Sequence, residues 1–410
     1  MGKLLCAALL VSALAVWPAS AQQAPSYSDF VEGSTSFALR FFRQAAVSES
    51  THNVLIAPTA MALDFALLQN GADDGARQEI AGIFGFGELP PRAMNQQARA
   101  LRATFTKAYA PSPQRRSQAW HSLPRERLQL AGSLWVRAQA DFRAPFLNEN
   151  RTYYGYTLAK LPESDGLAVA AVNRWAARHT AGKLAHLVDS VRNDGFLLLD
   201  ATVFHGNWMR PFDQTRTHSG DFTLASGQKK SVPMMVADDE IPYLRGKNFQ
   251  AVQLEYGHAA MYVFLPDRDT TLAEFERSLT PENWHAWLRQ MSQQEGHLEF
   301  PRFQSESRAE VTGALQNLGL VHLFTSFRAL APAVSNPEGA RLTRVLQAVS
   351  ISVDEKGTDA VSAEVAAGVI GGVSAQPPPP FRMLVDRPFF FAICDNQSEA
   401  VLYMGAIVDP

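Results

Sequence analysis

Ten histidines, two cysteines and forty acidic residues are material enough for a hydrolase or a metal centre, but their spacing builds neither. There is no Gly-x-Ser-x-Gly elbow, His-Glu-x-x-His pair, Cys-x-x-Cys motif or phosphate-binding loop. Gly85-Phe86-Gly87 lacks the third glycine of a dinucleotide fingerprint and runs into Pro90 and Pro91. No two histidines stand four apart on a helix, the spacing that lets both reach one cation. A Ser/His/Asp triad is assembled in space, and sequence leaves it open. The stretch that invites chemistry is VDEKGTDAVSAEVAAGVIGGVSAQPPPPF, from Val353 to Phe381. Before it, VLQAVSISV alternates apolar and polar as a half-buried strand does; after it, RPFFFAIC reads as a fully buried strand. Between them, residues 357–380 carry no helical stripe and no turn signal before their prolines. Loops of this length inside a compact domain are functional or disordered, and this one is neither highly charged nor a Ser/Gly tract.

The rest of the chain must hold that segment in place. Its 410 residues are 46% hydrophobic and 19% charged, an ordinary globular composition with ample core. The net charge of -3 points to neither nucleic acid nor a membrane surface as partner. MGKLLCAALLVSALAVWPASAQQ has Lys3, an apolar run and a small-x-small end, the pattern of a secretory signal peptide (residues 1–21) cut after Ala21. A membrane anchor is the competing reading, and the run is short for a span. Cys6 leaves with that leader, so Cys394 stands alone and no intrachain disulfide forms. Residues 22–410 read as a single domain, secreted to the periplasm or the extracellular space. The Pro- and Arg-rich stretch from Tyr109 to Arg127 reads as a solvated surface insertion, with polyanion binding as its alternative.

Helices are expected at FALRFFRQAA, PTAMALDFALLQNGA, DDGARQEIAGIFGF, MNQQARALRATFTKAY, GLAVAAVNRWAARHTAGKL, TPENWHAWLRQM and EVTGALQNLG. LQLAGSLWVRA, GFLLLDATVFHGNW and GHLEFPRFQSES read as strands, and FQAVQLEY with AAMYVFLP as a hairpin around Gly257. Early helices and later strands make the class α+β.

Six blocks, in order, resemble the serpin family. They are Asn53–Ile80, the helix Val172–Leu184 ending in a T-x-G-K pattern, Leu197–Phe222 with Trp208, Phe300–Phe324, DEKGTDA at Asp354–Ala360, and Asp386–Pro410. The resemblance spans essentially the whole mature chain and is to a secreted, bacterial-type member. It implies three β-sheets, about nine helices and an exposed reactive centre loop. It implies no catalysis by this chain, no cofactor and no metal, and a monomer whose partner is a target protease. The loop is bait; once cut, its first part enters the main sheet as an extra strand.

The residues fit that use. The hinge is Glu355, Gly357, Thr358, Asp359 and Ala360, with glycine giving backbone freedom. Thr358, Ala360, Ser362, Ala366 and Gly368 share one strand face and are small enough to enter a packed sheet. Counting from Glu355 as in the family places the cut after Gly371, with Ile370 and Gly372 as neighbours. No Lys or Arg lies between Gly357 and Phe381, so the expected target has small or apolar specificity: an elastase- or subtilisin-like serine protease, or a papain-like cysteine protease. Pro377–Pro380 reads as a stiff extended spacer.

Two departures from the family stand out. Where the sheet opens, relatives carry two serines, an asparagine and a histidine; here the matching residues are Ala57, Ala60, Asp200 and Gln347. Asp200 and Gln347 are expected to touch, and Arg302 to pair with Glu355 beside a buried Trp208. Glu364 is the second departure, a carboxylate on the small-residue face. Its arrival near Asp200 would require a proton, favouring insertion as pH falls. A non-inhibitory member acting as a binding, carrier or chaperone protein is the second function class, and an enzyme the third.

Overall fold

The computed structural model describes residues 27–48, 52–87, 89–110, 126–137, 139–180, 182–183, 185–192, 195–336, 338, 340–358 and 379–410. Ten α-helices and fifteen strands are present among these residues. The helices are α1 (Ser28–Ser48), α2 (Pro58–Gln69), α3 (Asp74–Phe84), α4 (Pro91–Ala108), α5 (Ala144–Glu149), α6 (Asp165–His179), α7 (Leu272–Arg277), α8 (Pro281–Gln290), α9 (Thr312–Asn317) and α10 (His322–Thr325). The seven expected helices are all found.

The strands fall into two hydrogen-bonded networks. Nine form one: β1 (Val54–Ile56), β5 (His218–Thr223), β6 (Lys229–Arg245), β7 (Phe249–Glu255), β8 (Ala259–Pro266), β9 (Ser292–Pro301), β13 (Phe381–Leu384), β14 (Phe389–Asp395) and β15 (Val401–Ile407). Where three sheets were expected, the 17-residue β6 joins two of them, pairing with β5 and β9 along most of its length and with β7 at its end. The other six are β2 (Arg127–Arg137), β3 (Thr157–Leu161), β4 (Phe196–Asn207), β10 (Phe303–Glu310), β11 (Leu342–Asp354) and β12 (Gly357–Thr358), in the order β10-β11-β12-β4-β2-β3.

GHLEFPRFQSES is not one strand. β9 ends at Pro301 in the nine-stranded network and β10 begins at Phe303 as the edge of the six-stranded sheet. The chain changes sheets at Arg302, whose N–H donates to the Pro233 carbonyl. The inward-facing set slips by one residue there, from Leu298 and Phe300 to Phe303 and Ser305, beside Pro301, a mark that the reading as one strand passed over. The hairpin β7–β8 does turn at Gly257, which has φ +143.

The six-stranded sheet is covered on both faces. Leu197, Leu199 and Ala201 of β4 pack with Val172 and Trp175 of α6 in one cluster. Phe196, Leu198 and Phe204 point the other way, into the main core with α2. By the same period of two, Asp200 faces inward with Phe196 and Leu198, and Gln347 with Val345 and Val349 of β11. All twelve residues of α2 are buried, so its one charge, Asp64, is also inside.

Candidate functional site

β4 and β11 run parallel and pair directly from Phe196/Leu342 to Val203/Ser350. Beyond that they part, and β12 lies between them. Its two residues pair with both neighbours, Gly357 with Asp354 and Asn207, and Thr358 with Val353 and Gly206. Gly357 and Thr358, the first residues of the expected loop, therefore form a short strand between β11 and β4. Gly357 has φ +149, and a Cβ there would lie 2.0 Å from the Gly206 carbonyl oxygen. Only glycine permits so close an approach to β4. Thr358 is 0% exposed, and its hydroxyl shares a 2.5 Å hydrogen bond with the Tyr256 hydroxyl. Thr358 thus faces the core. Asp359, Ala360, Glu364, Ile370, Gly371 and Gly372 lie outside the described residues. Of the proline run, Pro379 and Pro380 are described, and Pro379 accepts a 2.7 Å hydrogen bond from Gln294.

The turn that feeds β12 is held by three groups. Trp208 is buried, stacks on Tyr256 with ring centroids 4.4 Å apart, and donates its indole N–H to the Asp354 carbonyl at 2.9 Å. Its backbone N–H reaches the Lys356 carbonyl at 2.8 Å. Glu355 is 1% exposed and accepts from Arg302 through Nε at 2.7 Å and Nη2 at 2.5 Å. Thr217 also donates to it, a contact that sequence reasoning missed. Burial pushes the Glu355 carboxyl up, but the bonds from Arg302 and Thr217 outweigh it and leave it below the usual carboxylate range. The expected grouping of Arg302, Glu355 and Trp208 is present.

Deeper in the sheet the expected contact between Gln347 and Asp200 is present as well. Gln347 Nε2 donates to Asp200 Oδ2 at 2.7 Å and to the Ala57 carbonyl at 3.1 Å. Its Oε1 accepts the Ala57 N–H at 3.0 Å. One side chain on β11 therefore ties β4 to the start of α2. Ala57 and Ala60 have no side-chain hydroxyl to offer here, and Gln347, alone among the described side chains, bonds both the N–H and the carbonyl of Ala57.

Sequence reasoning missed the second carboxyl at this place. Asp64 is 1% exposed, and neither of its oxygens has a hydrogen-bond partner of ordinary geometry. Tyr156, Arg102 and Asp200 are the polar groups nearest to it in electrostatic effect, with the Arg102 guanidinium 5.4 Å from the Tyr156 ring centre. Burial first, and the Asp200 charge second, push the Asp64 carboxyl well above the usual range. Burial likewise pushes Asp200 up to about 7, against the hydrogen bonds from Gln347 and Thr202. Two carboxyls in so dry a place hold a proton at neutral pH. The available signal was a lone aspartate in the otherwise apolar run PTAMALDFALL. No group of three or more potential ligands able to hold a metal ion occurs among the described residues.

Residues 32–410 match the family model described as Serpin (serine protease inhibitor). Over 391 residues the chain is 26% identical to plasminogen activator inhibitor 1 of Neovison vison, covering 92% of each chain. The native state of the thermophilic serpin tengpin has a similar fold, with TM-score 0.80, 21% identity, and 93% of this chain and 94% of that one covered. Thyroxine-binding globulin in complex with thyroxine is also similar, with TM-score 0.78, 21% identity, and coverage of 93% and 99%.

Proposed function

Because the chain belongs to the serpin family, we propose that it inhibits a serine protease as a suicide substrate, its own loop serving as both bait and spring. It is not an enzyme; the protease supplies the nucleophile. The observation that carries this reading is β12, a two-residue strand already seated between β4 and β11 with Thr358 buried. Each further residue that follows it inward would add backbone hydrogen bonds to both neighbours, worth ~0.5–1.5 kcal/mol net apiece.

In this reading the protease serine attacks the carbonyl of Gly371, the amine of Gly372 leaves, and an acyl ester remains on the protease. The freed segment then lengthens β12 between β4 and β11 and carries the ester away from the loop's origin before water attacks it. Ile370, Gly371 and Gly372 suit an elastase- or subtilisin-like pocket, with a papain-like cysteine protease as the second target type. The inhibitor works as an exported monomer, its leader removed near Ala21, and needs no cofactor.

The test is incubation of the mature protein with elastase- and subtilisin-type proteases, followed by denaturing electrophoresis. A covalent complex that survives denaturation supports the proposal. Cleavage of the loop with no complex supports the carrier or chaperone reading instead.

A further inference from the structure

A second feature lies apart from β4, β11 and β12. At one end of the nine-stranded network, β1, β8 and β15 meet α7 around a cavity of ≈ 420 Å³. That is within the rough 300–1,000 Å³ range of small-molecule sites. Val54, Leu272 and Val408 supply apolar wall.

The charges on the wall are not balanced alike. Arg387 is committed, donating to Asp386 at 2.8 Å and to the Pro266 carbonyl at 2.6 Å. Arg268 is paired with the same Asp386. Glu276 is different. It comes from α7, is only 8% exposed and lines the cavity, yet its carboxylate makes no hydrogen bond or ion pair. Its oxygens open onto the cavity, and a carboxylate with so little access to water and no protein partner is a ready site for a charged ligand group. Burial alone pushes this carboxyl up to about 7. His52, Asp269, Arg268 and Arg387 are the other ionisable groups on the wall. Asp386 and Asp269 together supply two negative charges against the two arginines, so the charge left without a counterpart is that of Glu276.

We propose that this cavity binds a small amphipathic amine, with its ammonium on the Glu276 carboxylate and its apolar body along Val54, Leu272 and Val408. This site is independent of the loop and needs no protease.

The test is calorimetric titration of the full mature protein with phenylbutylammonium and with phenylbutanol, which has a similar body and no charge. At about pH 8 the wild type should bind the amine roughly tenfold or more tightly than the alcohol, as expected for a charge-assisted hydrogen bond. Glu276→Gln should bring the two ligands level. Lowering the pH to about 5.5 should weaken the amine roughly tenfold or more and leave the alcohol unchanged, because Glu276 takes a proton. The comparison of the two ligands on the wild type does not depend on the variant folding. Equal affinities for amine and alcohol, a preference that survives Glu276→Gln, or no amine binding at all would each overturn the proposal.

Discussion

Gln347 Nε2 and Asp200 Oδ2 lie 2.7 Å apart across the junction of β11 and β4, the two strands that must separate if the loop is to enter further. The two residues are register partners, so the bond acts as a latch at that level of the sheet. Replacing Gln347 by Leu would leave Asp200 with Thr202 alone and strip the Ala57 N–H and C=O of their side-chain partner. The expected loss is about 1–3 kcal/mol, measured by urea unfolding at neutral pH. Asp200→Leu combined with Gln347→Leu should recover part of it, because no charge is then left without a donor.

The pair Asp64 and Asp200 sets a pH dependence. Both carboxyls are raised in the folded protein, so the folded state keeps protons that the unfolded chain has released. Stability therefore falls as pH rises from about 4, where unfolded carboxyls ionise, to about 7, where Asp200 does. Glu276 and Glu126 are raised as well and slope the same way, so the informative quantity is a difference. Melting temperature should drop less between about pH 5 and about pH 8 for Asp64→Asn than for wild type. Parallel curves would show that the two carboxyls do not share a proton.

Arg302 and Glu355 make a third case. The glutamate is buried, while the Arg302 side chain is 41% exposed and the pair is screened on that side. Arg302→Ala should cost about 1–3 kcal/mol, because it leaves a buried carboxylate held by Thr217 alone. Adding Glu355→Gln should return part of the loss. The Glu355 carboxyl is lowered, so its contribution is present above the unfolded carboxylate range and is lost as pH falls through the folded value. A double-mutant cycle in urea, run at neutral and acid pH, measures both effects.

Gly357 tests the seat of β12. Alanine there meets the Gly206 carbonyl and a backbone conformation that L residues avoid. Gly357→Ala should displace β12 from between β4 and β11 and raise the number of inhibitor molecules consumed per protease trapped. An unchanged stoichiometry would mean that β12 plays no part in insertion.

The large-scale order was legible because it rests on long patterns. The alternation in VLQAVSISV, the doubly apolar GFLLLDATVF and the stripe in PTAMALDFALLQ each name an element by period alone. The contacts around Trp208, Arg302 and Glu355 were legible only through the family resemblance, since they join segments far apart in the chain. The change of sheet at Arg302 was legible too, as a slip in the alternation between Phe300 and Phe303 beside Pro301, but was read through as one strand. Three things were not legible. The joining of two sheets through β6 depends on strand length and partner, not on composition. The Asp64–Asp200 pair needed the third dimension, because neither residue reveals alone that another carboxyl faces the same dry space. The same holds for Glu276, whose meaning comes from the cavity beside it.

The central claim is that the protein is spring-loaded, with β12 the first part of a strand that completes itself once the loop is cut. The direct measurement is the melting temperature of the mature protein before and after a single cut near Gly371. The account predicts a sharp rise, since the lengthened strand adds hydrogen bonds to β4 and β11 that the intact form lacks. Equal melting temperatures for cut and intact protein would contradict it.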